Sequence, residues 1–267
     1  FSLIGCTGFA RQVLYRPDTQ PVTVSTALNP PSMVTAHTAD GLTLKGYFWP
    51  GRTAHADIIV FLHGRNWTAS RAAETARPLA GQGEGLLVAS YRGFDDNPGR
   101  PSEAGLIQDA EAFTRLAAQL GEPESRIWLV GHSLGAAVAL HAAESHPRIA
   151  GLFLFSAFAQ LTDAVPKIAR SLVPDRWNNL EAITKIRQPV VILQGGRDRF
   201  IPANSGAALF GSTRGPASLI VGTMSRHNPD FAVLSSWMPE AVASMAAGNL
   251  ANLPPPPANW IEMVRRP

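Results

Sequence analysis

Six uninterrupted apolar runs punctuate the chain, at residues 57–62, 86–90, 126–130, 151–155, 190–194 and 218–221. Runs of that length without polar alternation suit strands covered on both faces. Upstream, residues 33–38 and 42–49 flank Asp40-Gly41, a dipeptide suited to the positive-φ turn of a hairpin, so two antiparallel strands precede the six. Between the runs the period lengthens. From Glu103 to Leu120 the residues Leu106, Ile107, Ala110, Phe113, Leu116 and Ala117 recur at helical spacing behind Ser102, a good capping residue. Alternating strand and helix predicts an α/β fold with eight strand candidates in a mostly parallel sheet flanked by helices, its functional loops at the carboxyl ends of the strands. Residues 157–188 are too long for a simple crossover and read as a small helical cap. The tail, residues 249–267 with Pro254 to Pro257, reads as extended or surface-packed, with Trp260 as a docking point. One domain over residues 21–248 is expected between that tail and a lead-in at residues 1–20.

Composition narrows the classes. With 267 residues, 45% of them hydrophobic, the chain can bury a sizeable core. The net charge of +3 is spread over scattered arginines with no basic stripe, which excludes nucleic acid as a partner class. The single cysteine, Cys6, allows no internal disulfide and no paired-cysteine zinc or redox site. Its setting, Leu3-Ile4-Gly5-Cys6, reads as a bacterial lipobox, with Cys6 as the lipidation site, residues 1–5 as a signal remnant outside the fold, and the protein anchored in a bacterial cell envelope. The alternatives are a buried thiol or the end of an uncleaved anchor helix and, for location, the cytoplasm. Elsewhere no apolar run approaches the roughly 18 residues of a membrane span. His141 and His146, with Glu144 between them, match neither metalloprotease spacing, so neither metal nor cofactor is expected.

The chemistry centres on Gly131-His132-Ser133-Leu134-Gly135, which follows one apolar run and opens a small-residue helix. Glycines on both sides of a strand-to-helix turn leave room for strained backbone and present the serine as a nucleophile. Such a serine needs a base to take its proton and a carboxylate to orient that base. Asp198 follows the run at 190–194 and His227 follows the run at 218–221, which places Ser, Asp and His in chain order, each after its own strand. The rival acid is Asp163. Backbone amides of Leu134 and of Arg65, in the His63-Gly64-Arg65-Asn66-Trp67 stretch after the first parallel strand, are the expected oxyanion donors. Arg65, Asn66 and Phe158 are the candidate substrate contacts. The Arg65 guanidinium suits an anionic headgroup beside the scissile bond, with a plain surface arginine as the alternative.

Over residues 21–248 the chain resembles the α/β-hydrolase fold serine hydrolases. Through Tyr91-Arg92-Gly93, Pro101 to Leu106 with Asp109-Ala110, and Gly131 to Gly135, it is similar to the abhydrolase-domain group of membrane-associated lipases and depalmitoylases. The resemblance implies an α/β-hydrolase fold, esterase or thioesterase chemistry on acyl substrates without a cofactor, and a Ser133, Asp198, His227 triad. Two stretches depart from that group: Arg65-Asn66 stand where Asn and Gly are common after His-Gly, and Phe94-Asp95-Asp96-Asn97 replaces the usual Gly-x-Ser after Tyr-Arg-Gly. The alternatives are an amidase or aminopeptidase on the same three residues, and a lipid-anchored binding protein that has lost catalysis.

Overall fold

The computed structural model describes residues 3–17, 29–80, 82–144, 146, 148–164, 174–202 and 204–267, with the side chains of 3–7, 163 and 164 outside the description. Helix α1 (Leu3–Tyr15) leads into the hairpin β1 (Ser32–His37) and β2 (Thr43–Trp49), whose turn uses Gly41 at φ +86°. There follow β3 (Ile58–Leu62), α2 (Ala69–Ala76), β4 (Gly85–Ala89), α3 (Glu103–Leu120), β5 (Ile127–His132), α4 (Leu134–Ala142) and β6 (Ile149–Phe155). The chain continues through α5 (Asn179–Lys185), β7 (Val190–Gly195), α6 (Ser205–Ser212), β8 (Ala217–Gly222), α7 (Phe231–Leu234), α8 (Trp237–Ala246) and β9 (Trp260–Arg266).

Among the described residues the strands form one sheet in the order β1-β2-β4-β3-β5-β6-β7-β8-β9, parallel from β4 to β8 and antiparallel at both ends. The order turns back between β3 and β5. Chain leaving β3 heads one way and chain leaving β5 the other, which opens a crevice at their carboxyl ends. Every residue of β3, β4, β5 and β7 is buried, as continuous apolar runs require. Val60, Leu129, Leu152 and Ile192 pack under α3, α4 and α5, while Phe61, Val130, Phe155 and Leu193 face α2, α7 and α8. Helix α3 spans Glu103–Leu120, and Ser102 Oγ caps it by accepting from the Gly105 amide at 3.1 Å.

Three expectations need correction. The sheet has a ninth strand, because residues 260–266 leave the tail to pair with β8. As an edge strand β9 needs only one apolar side, and it is anchored by polar groups: Ser218 Oγ donates to Glu262 at 2.5 Å and Arg266 donates to the Thr213 carbonyl at 2.7 Å. The domain does not begin at residue 21, since Tyr15 of the lead-in is fully buried in the core. Arg11 grips Asp175 through two hydrogen bonds of 2.9 Å, and Tyr15 Oη donates to the same carboxylate at 2.9 Å. Burial and the Asp175 charge push the Tyr15 phenol well up, so it stays a donor. The stretch at 157–188 is not all cap: Ala182 and Ile183 of α5 lie in the core, making α5 the crossover helix between β6 and β7. Residues 165–173 of that stretch, residues 18–28 and the Cys6 side chain lie outside the described residues.

Candidate active site

The elbow at Ser133 is forced by its glycines. A Cβ on Gly131 would sit 2.4 Å from the Gly135 carbonyl oxygen, and one on Gly135 would sit 1.9 Å from the Leu62 carbonyl oxygen, so β3, β5 and α4 approach this closely only without those side chains. Ser133 itself takes φ +55°, a left-handed conformation that costs a non-glycine residue about 1–3 kcal/mol and persists only where surroundings impose it. Its amide donates to the Phe155 carbonyl at 2.8 Å, locking the turn to the end of β6.

His227 Nε2 stands 3.1 Å from Ser133 Oγ, and His227 Nδ1 stands 2.8 Å from Asp198 Oδ2. The other carboxylate oxygen of Asp198 accepts from the amides of Phe200 at 2.8 Å and Ile201 at 3.1 Å. Burial alone would push the Asp198 carboxyl up; the bonds from His227 and from those two amides outweigh it and hold the group below its ordinary value. The carboxylate is almost fully covered, while the His227 ring keeps some access to the cavity. Such an array can draw the proton from the serine, hold the resulting imidazolium, and return the proton to a leaving group. The side chain of the rival acid, Asp163, lies outside the described residues.

Two donors unnoticed in the sequence hold the histidine loop. Ser156 Oγ donates to the His227 carbonyl at 2.8 Å, and His132 Nε2 reaches the same oxygen at 2.9 Å. Burial, with the neighbouring His227, pushes His132 down to about 3, so its ring is neutral and donates from Nε2. Ser156 follows β6 at φ +49°, one residue past a buried run, and that position is the only trace of it in the sequence. His63, the other histidine of the two turns, is pushed down to about 4 by burial; its Nδ1 donates to the Gly64 carbonyl at 2.8 Å.

The oxyanion candidates flank the serine. Leu134 opens α4, so its amide has no acceptor within the helix, and both Leu134 and Arg65 line the cavity over Ser133. That cavity holds about 520 Å³. Asn66 and Phe158 line it as expected, Asn66 at φ +60°. Leu14 and Arg16 line it too, from the lead-in, and Arg71 from α2. The end of α1 is tied to the Arg65 loop: the Asn66 amide donates to the Tyr15 carbonyl at 3.3 Å and Arg65 Nη1 to the Leu14 carbonyl at 3.3 Å. Of the residues that depart from the abhydrolase-domain pattern, Asp95 has a structural part. Asp95 accepts from the Ala69 amide at 2.9 Å and from Ser90 Oγ at 2.6 Å, holding the start of α2. Arg92 bonds buried Asp109 through its amide at 2.9 Å and its Nε at 2.8 Å, stapling the loop after β4 to α3.

A parallel sheet with a strained serine elbow beside a histidine and a buried carboxylate defines the hydrolase class built on this fold. Residues 53–180 match the serine aminopeptidase S33 family. The chain is 34% identical over 226 residues, 82% of its length and 80% of the other, to the uncharacterized protein Rv2307c of Mycobacterium tuberculosis. It is 29% identical over 137 residues, 44% of each chain, to the α/β hydrolase domain-containing protein WAV2 of Arabidopsis thaliana. The esterase Pf2001 of Pyrococcus furiosus shares the fold at a TM-score of 0.65 and 19% identity, over 87% of this chain and 96% of that one. The chain belongs to one family with Rv2307c and has the α/β-hydrolase fold. Among the described residues no helix is long and apolar enough to cross a membrane.

Proposed function

We propose that the protein is a serine hydrolase of carboxylic or thio-esters, working through an acyl-enzyme. The observation that carries this reading is the continuous chain of hydrogen-bonding distances from Ser133 Oγ through His227 to Asp198, with a cavity open above it. His227 takes the Ser133 proton as Oγ attacks the acyl carbonyl; the Leu134 and Arg65 amides receive the oxyanion; the leaving alcohol or thiol departs with the proton from His227. Water, activated by the same imidazole, then releases the acid. Asp198 keeps the imidazole in the right tautomer throughout.

An aminopeptidase on the same residues is the weaker reading. It would have to neutralise a substrate ammonium, and among the described residues no carboxylate lines the cavity. The test is labelling by a fluorophosphonate probe together with turnover of p-nitrophenyl esters. Label on Ser133 that disappears in Ser133→Ala, with ester hydrolysis lost in parallel, supports the proposal. A folded protein that takes no label and turns over no ester refutes it and leaves the binding-protein reading, and faster cleavage of p-nitroanilides than of esters favours the peptidase.

A further inference from the structure

The cavity over Ser133 is electrically lopsided. Arg16, Arg65 and Arg71 reach it from the residue after α1, the loop after β3 and α2, respectively, and among the described residues no Asp or Glu lines it. Arg16 is close enough to Arg65 for the two cations to repel: burial first, then the Arg16 charge, hold the Arg65 guanidinium below its ordinary value. Folding gains nothing from crowding like charges, and water screens them only in part inside a cleft. Arg65 spends one donor on the Leu14 carbonyl, which among the described residues leaves most of its fork unused. Arg71 lies over the Trp67 ring at 5.2 Å, and Trp67 stacks on His132 at 4.8 Å, so this cation is held on a rigid support beside the elbow. Leu134, Phe158, Leu161, Phe200 and Ile201 supply an apolar lining to the same cavity.

We propose that Arg16, Arg65 and Arg71 form an oxyanion-binding subsite, and that the substrate is a carboxylic ester bearing a second, unreacting anion, a carboxylate or a phosphate. This rests on the esterase reading and names its substrate class. A guanidinium fork matches either group in two-pronged fashion, and gathering three of them at one cleft also raises the local concentration of an anionic ester. The apolar lining takes the hydrocarbon part. The chemistry at Ser133 is unchanged: the second anion neither gains nor loses a bond.

The experiment compares matched esters. Mono-p-nitrophenyl glutarate against p-nitrophenyl valerate tests an anion in the acyl part, and 1-butyrylglycerol 3-phosphate against 1-butyrylglycerol tests one in the alcohol part. The anionic member of at least one pair is expected to show kcat/KM about tenfold or more above its neutral partner, as charge-assisted bonds warrant. Whichever pair shows the preference identifies the source of the anion. The preference should shrink severalfold between about 20 mM and about 500 mM salt, because screening acts on the charged member alone. In Arg16→Gln/Arg71→Gln the ratio should fall about tenfold, and in Arg16→Lys/Arg71→Lys much of it should return. Ratios near one for both pairs, with Ser133 labelled by fluorophosphonate and neutral esters hydrolysed, overturn the subsite and leave the esterase reading intact. If no ester is turned over, calorimetry with glutarate and inorganic phosphate decides the subsite alone: binding that the double Gln variant loses supports it, and no binding overturns it.

Discussion

The two sides of the cavity are built by different means. On the chemical side Ser133, Asp198 and His227 each stand within a few residues of the end of a parallel strand, and most of the bonds that hold them run to backbone: Ser133 to Phe155, Asp198 to Phe200 and Ile201, and the His227 carbonyl to Ser156 and His132. On the substrate side the wall is held by side chains far apart in sequence. Arg11 and Tyr15 meet Asp175, and the Trp177 indole donates to Tyr15 Oη at 3.2 Å. Glu103 then fastens residues 176 and 177 to the first turn of α3 through their amides. A site anchored to strand ends inherits the rigidity of the sheet, whereas a wall assembled from distant partners can be changed without touching the reaction. The first side suits chemistry shared across a family, and the second suits selectivity.

Substitutions can separate these sides. The largest effect is expected on the chemical side: Asp198→Asn should lower kcat by about 10⁴-fold, because the imidazole loses the partner that sets its tautomer. Thermal melting should move little, and a loss of activity below tenfold would show that the Asp198–His227 bond is not what orients the base. On the other side, Asp175→Ala strips a covered acceptor of three hydrogen bonds and should destabilise the protein by about 2–4 kcal/mol, less than a fully buried pair because Arg11 can turn to water. Its effect on residual activity should be in KM more than kcat, read by steady-state kinetics on a neutral ester; an equal fall in kcat would mean that α1 supports the oxyanion loop itself.

Acidity sharpens the contrast next. His63 and His132 are held far below the ordinary imidazole value in the folded protein, at about 4 and about 3. The unfolded chain therefore binds protons first, and stability that is complete above the ordinary imidazole value drains away as pH falls toward those folded values. Each histidine should cost about 1.5 kcal/mol between roughly pH 6.5 and 5. Denaturant titrations across that window should show the loss, and His63→Gln should remove about half of it. The smallest effect belongs to neither side: Ser102→Ala should cost about 1 kcal/mol through the lost cap of α3 and leave kcat/KM alone.

How much of this was legible in the sequence follows from how far each interaction reaches. Strands β1 to β8, helix α3 with its Ser102 cap, and the positions of Ser133, Asp198 and His227 after their strands can all be read from periodicity and glycine spacing, since those signals are written within a few residues. Strand β9 escaped because an edge strand needs no continuous apolar run, and its Trp260-Ile261-Glu262 start carries the polar group that pairs with Ser218. Ser156 escaped because a serine after a strand looks the same whether or not a carbonyl arrives to meet it.

The linear chain, by its local patterns, thus determined strands β1 to β8, the elbow and the order of Ser133, Asp198 and His227, because each depends on backbone geometry that neighbouring residues impose. Only the tertiary structure decided that Tyr15 belongs to the core, that α1 brings Leu14 and Arg16 to the serine, and that three arginines share a cavity lined by no described carboxylate. Those are contacts between distant segments, 160 residues apart for Tyr15 and Asp175, and nothing in the spacing of residues along a chain encodes which distant surfaces will meet.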